Sequence, residues 1–240
     1  MRLLLILLVL LSACKSPAPT VPAGFVARHV RFLADDRYSL LAGYLRLNVP
    51  VRYDTLLHWV DQGDAAPTLK YRFTSARGCL LQERGYIQQP ACTQAVDRLT
   101  ILTDHYSGMV AGDTTGFHGR CQALERAEHE MGNTFAWRAR KVLRLDHRVF
   151  TVQEFCGARY RYWLPGQRKR FRWEPYQELL AQTIVQQGKG AWLISFRFEC
   201  TQAACPAFSQ QAYTILSSVH LDSLAVAQTT AVSRANEGKR

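Results

Sequence analysis

The chain has 240 residues, of which 48% are hydrophobic and 20% are charged. This composition excludes a disordered chain, since it supplies enough apolar material for the buried core of one large domain or two small ones. Lys and Arg outnumber Asp and Glu by 30 to 19, for a net charge of +11. A basic surface attracts polyanions such as anionic lipid, lipopolysaccharide phosphates or nucleic acid, although the same charge also serves solubility alone.

The N-terminus predicts export. Arg2 precedes a short apolar run, Leu3 to Leu11, which ends in small residues and Cys14. This order is typical of a secretory signal peptide, and the run is far shorter than the roughly 20 apolar residues that span a membrane. Leu11-Ser12-Ala13-Cys14 resembles the lipobox of bacterial lipoproteins. The resemblance implies that residues 1–13 are removed and that Cys14 becomes a lipidated N-terminus carrying acyl chains such as palmitate.

The same resemblance implies a place in the cell. Lipoproteins are anchored in the envelope, and Lys15 after the cysteine favours the outer membrane, because Asp at that position marks retention in the inner membrane of enteric bacteria. Export makes nucleic acid an unexpected partner. Residues 14–24 form the lipidated cysteine and a proline-rich tether, which we expect to be extended. We predict a single globular domain over residues 25–224 and a flexible tail over residues 225–240.

Alternating patterns predict strands in the first half of this domain. Leu45, Leu47 and Val49 alternate with polar residues, and residues 69–73 repeat the pattern. Strong helix formers between His118 and Met131 predict a helix that ends near Gly132.

The second half predicts a hairpin, a strand and a helix. Aromatic residues alternate with arginines over residues 159–163 and 170–173, on either side of a Pro-Gly turn. A strand then places Trp192 and every second residue up to Cys200 on one face. Apolar residues recur at helical spacing after Pro206, which suits the first position of a helix. The predicted fold class is therefore α+β, a mainly antiparallel β-sheet with a few packed helices.

Two stretches of the chain resemble PsbP-like domains. The unit from Trp192 to Leu221 resembles the end of such domains, where a strand hairpin leads into a helix packed on an antiparallel sheet. The stretch Leu45-Arg46-Leu47-Asn48-Val49-Pro50 resembles their opening strand followed by proline. The resemblance implies the same kind of sheet-and-helix packing in this chain.

Six cysteines remain once Cys14 is assigned to lipid. In an oxidising compartment, six thiols predict up to three disulfides, although the sequence cannot choose among the possible pairings. Sequence-near pairs are the simplest hypothesis: Cys79 with Cys92, Cys121 with Cys156, and Cys200 with Cys205.

Catalytic and metal motifs are incomplete, and no catalytic residue can be named. His129-Glu130 begins like the helix of a zinc protease, but the second histidine is replaced by Asn133. His118 and Cys121 have a spacing that could bind zinc, yet no further pair completes a set of four ligands. We therefore predict no metal and no cofactor. A cysteine nucleophile stays open, although a disulfide is the more common role of an exported cysteine.

The strongest functional candidate is the basic hairpin. Its cationic side chains can bind phosphate or carboxylate in a bidentate manner, or they can simply form a solvated sheet face. These residues are Arg159, Arg161, Arg168, Lys169, Arg170 and Arg172. We expect a non-catalytic binding or accessory domain of an envelope lipoprotein, with anionic lipid, lipopolysaccharide or an envelope protein as partner. The alternatives are a secreted hydrolase with an unrecognised site and a structural or assembly component of an envelope complex.

Overall fold

Two antiparallel sheets and two helices make up the fold in the computed structural model. It describes residues 21–32, 43–61, 68–75, 96–106, 111–145, 147–163, 170–187, 190–201 and 207–222. The elements in chain order are β1 (Phe25–Phe32), β2 (Gly43–Pro50), β3 (Thr55–Asp61), β4 (Thr68–Thr74), β5 (Asp97–Tyr106), α1 (Phe117–Glu130), β6 (Thr134–Leu145), β7 (Arg148–Trp163), β8 (Arg170–Gln187), β9 (Gly190–Cys200), α2 (Phe208–Ser217) and β10 (His220–Asp222). The α+β class with a mainly antiparallel sheet is confirmed.

The strands form one sheet in the order β1-β2-β10 and another in the order β3-β4-β5-β9-β8-β7-β6. The strands predicted at residues 45–49 and 69–73 are β2 and β4, and the predicted helix is α1. The predicted aromatic-arginine hairpin is the far part of β7 and β8, with Trp163 paired to Arg170. Its turn and the tail over residues 225–240 lie outside the described residues.

One buried cluster joins both sheets and α2. Leu45 and Leu47 of β2, Phe196 of β9 and Ile215 of α2 all belong to it and are at most 2% exposed. Each fully buried side chain of this size stabilises the fold by about 1.5–3 kcal/mol. The three-stranded sheet and α2 therefore cover one face of the seven-stranded sheet.

Strand β9 is buried on both faces. The predicted apolar face from Trp192 to Cys200 lies in or beside the core, and the intervening Ser195 and Glu199 are also buried. On that second face Arg98 of β5 binds Glu199 at 2.6 Å, and Arg197 binds Glu178 of β8 at 2.8 Å. Buried charges need such partners, because an unpaired one would keep its full desolvation cost.

Helix α2 begins at Phe208, after Ala207 in the left-handed conformation with φ of 59°. Its buried residues Phe208, Ala212, Ile215 and Leu216 match the predicted helical stripe. Pro206, predicted at the first position of this helix, lies outside the described residues. No helix in the described part of the chain is long and apolar enough to cross a membrane.

A polar clasp joins the two sheets and α2 at one end of the strands. Asp97, the first residue of β5, accepts hydrogen bonds from the Tyr53 hydroxyl at 2.5 Å and from Arg52 Nε at 2.6 Å. Arg52 also donates from Nη2 to Gln211 of α2 at 2.5 Å. Burial, followed by the charge of Asp97 and the hydrogen bond to it, raises the pKa of Tyr53 well above its usual value, while Arg52 opposes this rise.

We predict that Tyr53→Phe destabilises the protein and changes its response to alkali. Losing a hydrogen bond to a charged acceptor should lower the free energy of unfolding at pH 7 by about 1.5–3 kcal/mol. Folded Tyr53 keeps its proton at a pH where the unfolded chain has released it, so its contribution to stability declines as pH rises above about 10. The slope contributed by one such group is at most about 1.4 kcal/mol per pH unit.

Urea unfolding at pH 7, 10 and 11 checks both expectations. Tyr53→Phe should show lower stability at pH 7 and a shallower decline above pH 10 than the wild type. Tyr71 contributes to the decline in both proteins, because burial raises its pKa to about 12. Equal alkaline slopes for the two proteins would contradict the role given to Tyr53.

Candidate functional site

The hairpin of β7 and β8 continues past its neighbouring strands. The pairing of β6 with β7 stops at Ala158, and the pairing of β9 with β8 stops at Gln177. Beyond these points, β7 and β8 pair with each other up to Trp163 and Arg170. We call this two-stranded extension, residues 159–163 and 170–174, the arm. At about 3.3 Å per residue it extends about 17 Å past the end of β6.

The arm places two of the predicted basic positions opposite each other. Arg161 pairs with Arg172 and Arg159 pairs with Glu174, whereas Tyr160 and Tyr162 pair with Trp173 and Phe171. Two like charges directly opposite each other destabilise an antiparallel pair. Trp173 is 49% exposed. Arg168 and Lys169 lie outside the described residues, and a cationic face formed by the six basic residues stays a prediction.

The arm and the N-terminal entry lie at the same end of the strands. The backbone N–H of Val51 donates to Gly24 at 2.9 Å, and the adjoining Tyr53 reaches Asp97 at the start of β5. Asp97 pairs with Cys200, which pairs with Gln177 at the base of the arm. Asp97 and Gln177 are two strands apart, or about 10 Å. Gly24, just before β1, therefore lies at the end of the domain from which the arm extends.

A pocket of about 430 Å³ lies on the outer face of the three-stranded sheet, beside the end of α2. We call it the sheet pocket. Its wall has apolar residues and a row of polar ones: Val21, Ala27, His29, Arg46, Leu47, Asn48, Ser217, Ser218, Val219 and His220. None of these residues is a candidate site from the sequence pattern alone.

Strand register builds the charged part of the sheet pocket. Arg46 of β2 pairs with His29 of β1 on one side and with His220 of β10 on the other. The carboxylate of Asp222 contacts two residues of this row, Arg46 through Nε at 2.8 Å and His220 through Nε2 at 2.9 Å. All three side chains of this contact are between 41% and 47% exposed. The row thus combines a guanidinium and two imidazoles with one carboxylate.

The end of α2 beside the pocket has its carbonyl groups satisfied. Ser217 Oγ donates to Thr214 at 2.9 Å, and Ser218 Oγ donates to Ile215 at 2.7 Å. The backbone N–H of Val219 donates to Leu216 at 3.1 Å. Ser218 Oγ also accepts from the backbone N–H of Asn48 at 2.8 Å, which fixes the helix end to β2. These bonds reduce the repulsion that exposed helix-end carbonyls would exert on an anion.

The residues considered for zinc or nucleophilic chemistry are spread over α1. Cys121 is buried, whereas His118 and His129 are exposed. His118 contacts Gln122 one turn away at 3.1 Å, and His129 packs edge-on against Phe135. Within the described ranges, no group of three or more His, Cys, Asp or Glu could hold a metal ion.

Another polar cluster joins α2 to β7. The buried carboxylate of Glu154 accepts hydrogen bonds from Ser209 and from the Tyr213 hydroxyl, the latter at 3.3 Å. Lys141 Nζ lies 4.1 Å from the centre of the Tyr213 ring. Burial is the main cause that raises the pKa of Tyr213. Ser209 is hydrogen-bonded to an acid, and this geometry fits a structural contact of α2 better than an activated nucleophile.

One predicted disulfide is wrong. Cys121 and Cys156 are both free thiols, so the pair Cys121–Cys156 is not formed. The physical reason is their placement, since Cys121 is buried in α1 and Cys156 lies in the middle of β7. Cys200 is disulfide-bonded, and its partner lies outside the described residues. The pairs Cys79–Cys92 and Cys200–Cys205 stay predictions, because Cys79, Cys92 and Cys205 lie outside the described residues. The lipidation of Cys14 stays a prediction for the same reason.

We predict that the two free thiols differ in reactivity. Cys121 is 2% exposed, and burial raises the pKa of its thiol, whereas Cys156 is half-buried. N-ethylmaleimide should therefore modify Cys156 first in the native protein and both thiols in urea without a reductant. Peptide mass mapping gives the order. Urea-unfolded protein in which neither thiol reacts would contradict the two free thiols.

Comparison with known proteins gives a few distant structural similarities. No family model matches the sequence, and no curated protein matches it. The chain is similar to the solution structure of cyanobacterial PsbP (CyanoP) from Synechocystis, with 12% identity and a TM-score of 0.44, over 86% of this chain and 98% of that chain. It is also similar to LpqN of Mycobacterium tuberculosis, described as involved in cell envelope biogenesis, with 13% identity and a TM-score of 0.36, over 86% and 99%.

Proposed function

We propose that this chain is a lipid-anchored accessory protein of the bacterial outer membrane, with a non-catalytic domain that binds anionic envelope components through the arm. One observation carries the proposal. The arm extends from the same end of the domain at which the chain from Cys14 enters. Anionic lipid or lipopolysaccharide then supplies the negative charge that the arm meets.

Chain length supports this arrangement. The segment between Cys14 and Val21 spans at most about 25 Å when fully extended. A lipid on Cys14 would therefore hold this end of the domain close to the membrane surface. The arm extends about 17 Å from the same end, so its basic positions are within reach of the headgroups.

Charge supports it as well. The register pairs Arg161 with Arg172, and an anionic surface offsets the repulsion between two such neighbours. Each Lys or Arg near an anionic membrane surface contributes about 1 kcal/mol of binding free energy. An exposed tryptophan such as Trp173 suits the interface between headgroups and water.

The anchor is tested by labelling cells with a palmitate analogue. The wild-type chain should incorporate the label, and Cys14→Ser should abolish it, because the thioether needs that sulfur. Cys156→Ser is the matched control, as it removes a free thiol elsewhere, and its labelling should equal that of the wild type. Unchanged labelling of Cys14→Ser would exclude the lipoprotein assignment.

The arm is tested with a non-lipidated chain that begins at residue 14 and carries Cys14→Ser. Arg161→Ser with Arg172→Ser should weaken binding to vesicles of phosphatidylglycerol and phosphatidylcholine by about 30-fold at low salt, from two lost contacts of about 1 kcal/mol each. The matched control is Arg126→Ser with Arg144→Ser, which removes the same charge from exposed positions of α1 and β6.

The two double variants separate a local effect from net charge. The control should retain most of the binding, and thermal unfolding should show that both variants are folded. Equal loss of binding in the two variants would show that the net charge of the protein, and not the arm, determines binding. Unchanged binding of the arm variant would overturn its role.

A further inference from the structure

We propose that the sheet pocket binds one compact oxyanion group, a phosphate or its chemical equivalent, at Arg46 between His29 and His220. The inference goes beyond the proposed function, because it concerns a cavity on the other sheet and a single anionic group instead of an extended charged surface. It rests on the strand register, the charges and the shape of the cavity.

The size of the cavity indicates what the oxyanion is attached to. A volume of about 430 Å³ lies within the range of pockets that hold small organic ligands. Val21, Ala27 and Val219 supply apolar wall beside the polar row. The pocket therefore fits an oxyanion carried by a small organic group, such as a phosphate monoester or the headgroup of a phospholipid.

The donors converge from three adjacent strands. A guanidinium has five N–H donors in a planar fork, and the contact of Arg46 with Asp222 uses Nε and Nη2. Side chains directly across an antiparallel pair have Cβ atoms about 4.5–5.5 Å apart, so His29 and His220 flank Arg46 closely. An oxyanion at this row can accept hydrogen bonds from the guanidinium and from both imidazoles.

The charge balance of the row makes binding dependent on pH. With both histidines neutral, the charge of Asp222 offsets that of Arg46, and protonation of His29 and His220 turns the row positive. Histidine is the side chain whose charge ordinarily changes between pH 5 and 8. The other charged or titratable residues near this row are Arg31 of β1 and Tyr44 of β2, which pair with each other in the adjacent row that includes Asp222. The wall residues from α2 are Ser217 and Ser218, and the helix-end carbonyls already accept hydrogen bonds.

Asp222 acts in this arrangement as a competitor of the ligand. Its carboxylate engages Nε and Nη2 of Arg46 and also Nε2 of His220, so it competes with an oxyanion for these donors. Replacement by asparagine removes the negative charge while keeping the size of the side chain. We therefore expect Asp222→Asn to raise the affinity for an oxyanion, a result that a loss of folding cannot imitate.

The test uses the full chain in a non-ionic detergent, with sodium sulfate as the probe. Sulfate keeps its charge between pH 5.5 and 8.0, so any pH dependence of binding comes from the protein. Titrations are followed by NMR at the backbone amides of Asn48 and His220, with sodium chloride at equal ionic strength as the reference. The wild type should bind sulfate at least about tenfold more tightly at pH 5.5, as two charge-assisted hydrogen bonds are added.

Four variants make the test specific. Arg46→Gln should lose at least about tenfold in affinity at both pH values, and His29→Gln with His220→Gln should lose the pH dependence. Asp222→Asn should bind more tightly at pH 8.0, and Arg126→Gln on α1 should behave like the wild type. An Arg46→Gln protein that binds sulfate as the wild type does, or a wild type without shifts at these amides at pH 5.5, would overturn the proposal.

Two further probes distinguish the source of the oxyanion. Glycerol 3-phosphate represents a free phosphate monoester, and phosphatidylglycerol added to the detergent micelles represents a lipid headgroup. Binding of glycerol 3-phosphate alone assigns the pocket to a soluble ligand. Binding of phosphatidylglycerol that changes in Asp222→Asn assigns the pocket to lipid. The arm variant Arg161→Ser with Arg172→Ser should leave sulfate binding unchanged, so failure of the arm and failure of the pocket give different results.

Discussion

The carboxylate of Asp97 holds together the end of the molecule from which the arm extends. It accepts hydrogen bonds from Tyr53 and Arg52, which lie in the connection between the two sheets. Arg52 also donates a hydrogen bond to Gln211 of α2. One partly buried acceptor thus links the seven-stranded sheet to the connection that follows the three-stranded sheet and, through Arg52, to α2. The clasp also fixes where the chain enters the domain, because the backbone of Val51 beside it holds Gly24.

Strand register is the second constraint, and buried charges specify it. On β9, Phe196 and Phe198 lie in the core, whereas Arg197 and Glu199 meet Glu178 and Arg98 on the opposite face. A slip of one residue would reverse the two faces and bring Glu199 into the core. The ion pairs therefore exclude alternative pairings of the central strands. The same register places Gln177 next to Cys200 and so determines where the arm begins.

Local pattern predicted part of the elements, and long-range pairing explains why it missed the sheet pocket. Alternation identified β2, β4, β9 and the hairpin, because a half-buried strand has apolar residues on its core face and polar residues on its other face. The sheet pocket left no such signal, since Arg46 and Asp222 are 176 residues apart and meet only through the three-residue strand β10. The disulfide expected between Cys121 and Cys156 failed for a related reason, as nearness in sequence does not place a helix and a strand side by side.

The arm and the sheet pocket treat positive charge in opposite ways, which indicates different ligands. In the arm, the register pairs Arg161 with Arg172, and like charges at paired positions favour the binding of an external anion. In the pocket, Asp222 already balances Arg46, and a ligand gains only after displacing this carboxylate or after protonation of the neighbouring histidines. The first arrangement suits an extended surface with many negative charges, where several weak contacts act together. The second suits a single oxyanion whose geometry matches the guanidinium, with selectivity set by competition inside the protein.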